Sequence, residues 1–239
     1  MSAPSRRGGV WTAAQRGEDV AVSAGEPFST AEALAVQDEL RRRVLPGPGP
    51  TNPATVAGLD VAYDGDRLAA AVVVLDAVDL SVRDTVVVRG RPEFPYVPGL
   101  FAFREVPALL DALDRLTVRP DVLICDGHGL AHPRRFGLAA HLGVLTDLPS
   151  FGVGKTKLVG EWEPVGPARG DESALVDTGE QVGAVLRTQP GVKPVFVSVG
   201  HRMDLAGACA LTLALAPHYR LPETTRAADR ACRDASRAV

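Results

Sequence analysis

Three carboxylates stand at positions where metal-assisted chemistry could occur. Asp60 lies within the apolar run 55–63, Asp126 directly follows the run 121–125, and Glu105 lies in the first turn of a helix-like segment. Carboxylate oxygens are the ligands that Mg²⁺ prefers, and ligands of open α/β sheets bind beyond the carboxyl ends of strands. Simpler interpretations exist: Asp60 on a solvent-facing strand, Asp126 in a turn or N-cap, and Glu105 beside a helix dipole.

Basic residues and histidines stand near other strand ends. Lysine is rare in this chain, and Lys155 and Lys157 both follow the short apolar run 150–154. They could hold a phosphate or a hydrolytic water, or they could lie in a solvated loop. His201 follows another strand-like run, and His132 could form a polar or stacking wall of a base pocket. The histidine spacings do not predict a zinc site.

An aromatic loop precedes the helical glutamate. Residues 94–101 place Tyr96 between two prolines, with Phe94 and Phe101 on either side. Rigid loops with exposed aromatic side chains can wedge between bases and unstack them. The alternative is a loop whose aromatic side chains are packed into the protein.

Together these groups form a recognisable chemical set. It comprises two aspartates on strands, a glutamate on a helix, a lysine and a histidine, each near the end of an element. The set is typical of a magnesium-dependent phosphodiester nuclease, in which carboxylates hold the metal and the metal activates water and stabilises the leaving oxygen.

The apolar pattern predicts the elements that position these groups. Three β-branched runs, 55–63, 68–76 and 82–89, predict an antiparallel meander whose first turn is Asp64-Gly65-Asp66. Further predicted elements are a helix over 30–44 with Thr30 as N-cap, helices over 101–116, 134–145, 203–216 and 224–236, strands over 121–125, 150–154, 182–187 and 195–199, and a long loop over 155–180. The predicted fold class is therefore α/β, a ribonuclease H-like mixed sheet (three antiparallel strands, then parallel strands) with helices on both faces.

Composition limits the class of protein. The chain has 239 residues, a mass of 25.1 kDa and a net charge of -3, with 46% hydrophobic and 23% charged residues, which excludes a fibrous or wholly disordered chain. No apolar run reaches the roughly 18 residues of a membrane-spanning helix, no signal peptide is visible, and the three cysteines lack metal-type spacing. We expect a cytoplasmic protein with a disordered tail over residues 1–29 and a single catalytic domain over 30–239.

Five segments resemble the endonuclease V family, the deoxyinosine 3′-endonucleases. They are residues 56–63 (VAGLDVAY), 95–105 (PYVPGLFAFRE), 126–158 (DGHGLAHPRRFGLAAHLGVLTDLPSFGVGKTKL), 197–202 (VSVGHR) and 219–230 (YRLPETTRAADR). The resemblance spans about residues 30–232 in the family's order and spacing. Strings of this length are far more specific than a short motif.

The resemblance implies a fold, a reaction and a set of active-site residues. The implied fold is ribonuclease H-like. The implied reaction is hydrolysis of the second phosphodiester bond 3′ to a deaminated base in DNA, chiefly deoxyinosine, which leaves 3′-hydroxyl and 5′-phosphate ends and initiates repair. The implied cofactor is Mg²⁺, with Mn²⁺ as a substitute. By position, Asp60, Glu105 and Asp126 are implied to bind metal, and Lys155 and His201 to complete the active site.

The resemblance also implies how substrate is bound. The loop Pro95-Tyr96-Val97-Pro98 matches the family's strand-separating wedge, with Tyr96 at its tip. A hypoxanthine pocket, in which backbone amides read the flipped base, is implied to be lined by Gly99, Phe101, Gly127, His132, Leu138 and Leu158. Two positions depart from the family: Gly154 stands where Ala is usual, and Val199 where Pro is usual. Neither change removes a catalytic group.

Two alternatives remain open from the sequence. The substrate could be inosine in RNA, because no residue can be assigned to a 2′-hydroxyl contact. The chain could also bind nucleic acid without cleaving it, although the three carboxylates are intact. We expect a monomer without membrane contact. Since the net charge is -3, phosphate binding predicts a local basic groove formed by Arg134, Arg135, Lys155, Lys157 and Arg202.

Overall fold

The centre of the structure is one eight-stranded mixed sheet. The computed structural model describes residues 29–237. The strands are β1 Thr55–Asp64, β2 Arg67–Asp76, β3 Val82–Gly90, β4 Val122–Cys125, β5 Ser150–Gly154, β6 Glu172–Asp177, β7 Glu180–Leu186 and β8 Val195–Val199. Their order in the sheet is β3-β2-β1-β4-β5-β8-β7-β6.

Two strands run parallel to β1 and end level with its middle: β4 beside it and β5 on the far side of β4. β2 and β3 pair antiparallel as the meander predicts, whereas β4 is parallel to β1 and β5 is parallel to β4. The remaining strands, β8, β7 and β6, extend the sheet in antiparallel fashion. Because parallel strands end at the same edge, the segments after β4 and β5 meet there.

Helices cover both faces of this sheet. They are α1 Thr30–Arg41, α2 Ala102–Asp114, α3 Leu138–Thr146, α4 Leu205–Ala214 and α5 Glu223–Arg237. Side chains alternate across the sheet, so Leu59 packs with the α2 and α3 side while Val56 packs with the α4 and α5 side. The predicted fold class, a mixed sheet with helices on both faces, is confirmed.

Three details of the predicted elements are wrong. The predicted loop over 155–180 contains β6, an edge strand in which only Leu175 is fully buried, so its apolar signal is weak. Helix α3 begins at Leu138 rather than residue 134, because Arg135 has a left-handed backbone (φ 54°) and Gly137 is the extended N-cap. The N-cap of α1 is Ser29, which forms a capping box with Glu32, rather than Thr30.

Three other predictions concern the N-terminal segment, the cysteines and membrane-spanning helices. The predicted disordered tail lies outside the described residues, except for the capping residue of α1. All three cysteines are buried and unbridged. Within residues 29–237, no helix combines the length and the apolar character needed to cross a bilayer.

Candidate functional site

Two of the predicted carboxylates lie side by side on the sheet. Leu59 pairs with Cys125 in the parallel register of β1 and β4, so the next pair along the strands is Asp60 and Asp126. The backbone N–H of Asp126 donates to the carbonyl of Leu59 at 3.0 Å, which carries the pairing one step beyond β4. Both side chains therefore leave the same face of the sheet.

Glu105 reaches the same region from α2. Its side chain belongs to the first turn of that helix and is only 6% exposed. Burial, followed by the charges of Asp60 and Asp126, raises the pKa of Glu105 to about 8. Burial and the charge of Asp126 likewise raise the pKa of Asp60 to about 7. The three carboxylates are thus close enough to oppose one another's ionisation.

A fourth carboxylate, which was missed from the sequence, faces this group. Asp229 lies on α5, and its charge contributes to the raised pKa values of both Asp60 and Lys155. Helix α5 is held against β1 by Cys232, whose Sγ donates to the Asp60 carbonyl at 3.2 Å. The sequence signal for Asp229 is weak, since it is one of several charged residues on an amphipathic helix.

Lys155 lies directly against the carboxylates. Its Nζ donates to Asp126 Oδ2 at 2.5 Å. Partial burial opposes the charged lysine, but this hydrogen bond and the charges of Asp126, Asp60 and Asp229 outweigh it, so the pKa of Lys155 is raised. Lys155 therefore stays protonated at neutral pH, and it can neutralise an anion but cannot act as a base.

A cleft of about 470 Å³ opens beside these charged groups. Glu105, Asp126 and Lys155 line one part of it. The residues predicted for substrate binding that also line it are Tyr96, Pro98, Gly99, Phe101, Gly127, His132, Leu138 and Leu158. Pro95 is exposed and Val97 packs under the loop, so these two brace the loop rather than line the cleft.

The aromatic loop is anchored at its ends and exposed at its tip. Phe94 and Leu100 are buried with α1, whereas Tyr96 is 68% exposed. Gly99 takes a left-handed backbone conformation (φ 80°) that closes the turn, and its carbonyl accepts from Gln37 Nε2 at 3.0 Å. Of the two interpretations of this loop, exposed aromatic side chains hold for Tyr96 and buried ones for Phe94.

Two histidines connect the loops around the cleft. Burial lowers the pKa of His132 to about 4, and its Nδ1 accepts from the Arg134 backbone, so its ring is neutral at physiological pH. His128 Nε2 lies 3.0 Å from the Thr156 carbonyl, so this contact connects the segment between β4 and α3 with the loop after β5 that contains Lys155. Its ring occupies the space beside Gly154, where an added Cβ would lie 2.6 Å from Cε1. His128 was not singled out as a site residue from the sequence.

His201 forms hydrogen bonds with Leu45 and Asp147. Its Nδ1 accepts from the Leu45 N–H at 3.2 Å, so Nε2 carries the proton and donates to Asp147 Oδ1 at 3.1 Å. Both ring nitrogens are therefore used in joining the chain before β1 to the loop after α3. His201, like Asp60, is not among the residues that line the cleft, and its catalytic role stays a prediction.

The predicted basic groove does not carry free positive charge. Each of its five residues is paired with an acidic side chain. The pairs are Arg134–Asp38 at 2.5 Å, Arg135–Asp177 at 2.8 Å, Lys155–Asp126 at 2.5 Å, Lys157–Glu161 at 2.8 Å and Arg202–Asp147 at 2.8 Å. The chain positions of these residues do not reveal their acidic partners, which are mostly distant in sequence.

Comparison with known proteins identifies the family of the chain. The family model described as endonuclease V matches residues 38–230. The endonuclease V of Streptomyces avermitilis is 56% identical over 221 residues, covering 90% of this chain and 96% of that protein. The endonuclease V of Roseiflexus sp. (strain RS-1) is 56% identical over 203 residues, covering 85% of this chain and 91% of that protein.

Solved structures show the same relationship. The Streptomyces avermitilis crystal structure superposes with a TM-score of 0.87 at 55% identity, covering 91% of this chain and 97% of that one. The catalytic domain of human endonuclease V gives 0.82 at 35% identity, covering 87% and 96%. Endonuclease V of Ciona intestinalis, solved with a 24mer DNA containing an inosine followed by a ribo-adenosine, gives 0.75 at 25% identity, covering 87% and 98%. The chain therefore belongs to the endonuclease V family and is an endonuclease.

Proposed function

We propose that this endonuclease recognises deaminated bases in DNA, chiefly deoxyinosine. It hydrolyses the second phosphodiester bond 3′ to the lesion in a metal-dependent reaction, leaving 3′-hydroxyl and 5′-phosphate ends that initiate repair. The observation that carries this proposal is the cleft, which joins a carboxylate and lysine wall to a pocket beside an exposed Tyr96.

The base pocket suits a flipped hypoxanthine. Hypoxanthine presents an oxygen where adenine has an amino group, so N–H donors can select it. Helix α3 begins at the cleft, and its N-cap Gly137 provides no side-chain cap. The N–H of Ala139 already donates to the His128 carbonyl at 3.1 Å, so the N–H groups of Leu138 and Ala140 are those that could face a base. The first N–H groups of a helix carry partial positive charge and favour an oxygen acceptor. The cleft volume of about 470 Å³ is also in the range of ligand pockets.

The carboxylates suit a hard divalent cation. Asp60, Asp126 and Glu105 would hold Mg²⁺ or Mn²⁺, and Asp229 lies close enough to add charge. Among residues 29–237, no three acidic, histidine or cysteine side chains form a ready-made metal cage. Mg²⁺ usually keeps several waters and binds through one or two carboxylates and substrate phosphates. When bound, such an ion activates water and neutralises charge on the phosphate.

The chain's own residues would orient the substrate. Tyr96 would fill the space left by the flipped base, and unpairing a mismatched base costs less than unpairing a good pair. Lys155 would place its positive charge beside the scissile phosphate, since its ammonium already faces Asp126. The neutral His132 would contribute a wall without adding a charge to the pocket. Base recognition and hydrolysis would thus occur in adjoining parts of one cleft.

A nicking assay tests this function. One labelled strand would carry a single deoxyinosine, and a matched RNA strand would carry inosine, each with Mg²⁺ or with chelator. We include RNA because the DNA bound by the Ciona protein carries a ribo-adenosine after its inosine. The expected product is a Mg²⁺-dependent cut one nucleotide beyond the deoxyinosine.

Asp126→Asn separates binding from cleavage. The variant should keep affinity for deoxyinosine DNA and lose cutting by at least about 100-fold, because one oxygen ligand loses its charge. The matched control is Asp121→Asn, which changes an aspartate at the other end of β4 that hydrogen bonds Ala54 and Thr55. Equal loss of binding and cutting in Asp126→Asn would contradict the role of Asp126 in hydrolysis. Cleavage at unmodified sites would contradict the proposed preference for deaminated bases.

A further inference from the structure

A second pocket lies at the same end of the sheet, outside the cleft. It measures about 330 Å³, and three arginines line it together with Asp64 and the end of α5. The arginines are Arg67 on β2, Arg89 on β3 and Arg91 just after β3. We call these three residues the arginine pocket. All three arginines are exposed.

The arginine pocket lies on the face that carries Asp60. Asp60 pairs with Ala71 across the antiparallel register, and Arg67 is four residues from Ala71 on β2. Arg89 pairs with Ala69, two residues from Ala71. Residues two or four apart on one strand, and residues directly paired on neighbouring strands, have their side chains on the same face of the sheet. Arg67 and Arg89 therefore lie on the face of Asp60. The strand rise places Arg67 roughly 13 Å along the sheet from the carboxylates.

The charge of this pocket is not neutralised. Among the described residues, Arg67 and Arg89 form no ion pair within 4.0 Å, in contrast to all five residues of the predicted basic groove. Arg91 pairs with Asp66 at 3.2 Å, but both side chains are about 70% exposed, so a competing anion can replace that contact. Counting Asp64 and Asp66, the pocket has an excess of one positive charge.

We infer that the arginine pocket binds a backbone phosphate of the nucleic acid whose lesion occupies the cleft. This inference rests on the proposed function. Guanidinium groups bind phosphate oxygens through paired hydrogen bonds, which position a strand without reading its sequence. Because the pocket lies on the carboxylate face roughly 13 Å away, a few nucleotides of one strand are long enough to reach from the carboxylates to the pocket.

The test is the salt dependence of DNA binding. Binding of a labelled duplex is measured by fluorescence anisotropy in Ca²⁺ over a series of salt concentrations, for the wild type, Arg67→Gln/Arg89→Gln and Arg83→Gln. Arg83 is the matched control, an exposed arginine of β3 at the opposite end of the strand. For the double variant, the slope of log affinity against log salt should fall by roughly 0.9 per lost contact, and affinity at about 0.1 M salt by roughly eightfold per contact.

Substrate length supplies a second readout. Duplexes shortened on one side of the lesion should lose the difference between the wild type and the double variant once they no longer reach the pocket. The shortened side identifies the direction in which the strand runs. Equal slopes for the double variant and Arg83→Gln would overturn the inference, as would a difference that persists on both shortened duplexes.

Failure of the pocket and failure of the proposed function are distinguishable. Phosphate contacts do not depend on the base, so the same slopes are measured on an undamaged duplex. If the protein cuts deoxyinosine DNA but the double variant has the same salt slope as the wild type, the proposed function holds and phosphate binding by the arginine pocket is excluded. If the slopes change as predicted but no cutting is detected, phosphate binding by the arginine pocket holds and the proposed reaction is excluded. Absence of binding to any duplex would refute both.

Discussion

Crowding of carboxylates at the candidate site should make the metal-free protein less stable as the pH rises. The pKa of Asp60 is raised from 3.8 to about 7, mainly by burial and by Asp126. The folded state therefore holds this proton more tightly than the unfolded state does. The associated stability is fully present below the unfolded pKa and is lost as the pH rises through the folded pKa. Removing the charge with Asp60→Asn should abolish that loss.

The size of the effect follows from the shift. Between about pH 5.5 and the folded pKa of about 7 lie about 1.5 pH units, each worth about 1.36 kcal/mol. From about pH 5.5 to about pH 8.5, the free energy of unfolding of the wild type should therefore fall by about 2 kcal/mol relative to Asp60→Asn. Glu105 titrates in the same range, because its pKa is raised to about 8. Since the charge of Asp60 contributes to that rise, the loss from Glu105 is smaller in Asp60→Asn and adds to the difference between the two proteins.

Urea unfolding in the presence of chelator measures this difference. The wild type, Asp60→Asn and the control Glu163→Gln are compared at the two pH values, since Glu163 is an exposed carboxylate outside the cleft. Adding Mg²⁺ at about pH 8.5 should stabilise the wild type more than Asp60→Asn, because a ligand stabilises the state that binds it.

Two results would refute this reasoning. If the wild type and Asp60→Asn keep the same difference in unfolding free energy at both pH values, Asp60 is not held with a raised pKa. If Glu163→Gln behaves like Asp60→Asn, the pH effect reflects the total charge of the protein rather than the crowding of these carboxylates.

Two further substitutions test other parts of the cleft. Tyr96→Ala should weaken binding of deoxyinosine DNA by about 1–3 kcal/mol, the typical value of one base–aromatic stack, whereas Tyr96→Phe should keep the affinity. A changed Mg²⁺ requirement in an activity titration would contradict a wedge role for Tyr96. Gly154→Ala should lower the free energy of unfolding by about 1–3 kcal/mol, because the new Cβ displaces the His128 ring and weakens its contact with Thr156. Denaturant unfolding of Gly154→Ala in a His128→Ala background should show a smaller loss, and an equal loss would exclude the ring as the cause.

The alternating and apolar runs of the sequence determined most of the fold. The three β-branched runs predicted the meander because side-chain alternation and the Asp-Gly-Asp turn are local properties. The short runs after it predicted β4 and β5, and the apolar segment over 203–216 predicted α4. The strand β6 was missed because an edge strand with charged residues lacks the apolar signal of a buried strand, and its partner β7 is needed to recognise it.

The residue types of the site could also be recognised from the sequence. Asp60 and Asp126 stood out because each is a carboxylate inside or directly after an apolar run. Glu105 and the aromatic loop were noticed for their position and composition, the resemblance to a nuclease family added the other residues of the base pocket, and the cleft contains most of these residues together. Their metal binding and their catalytic roles stay predictions that the proposed experiments test.

Only the tertiary structure decided which charges are neighbours. Asp229 is 169 residues from Asp60 in the chain, and its proximity depends on the packing of α5 against β1. The same long-range pairing explains why His201 is held by Asp147 and why the predicted basic groove is neutralised. Electrostatic interactions depend on distance in space, and local sequence patterns contain no such distances. The sequence therefore determined the elements and the chemical groups, whereas the fold determined which groups act together.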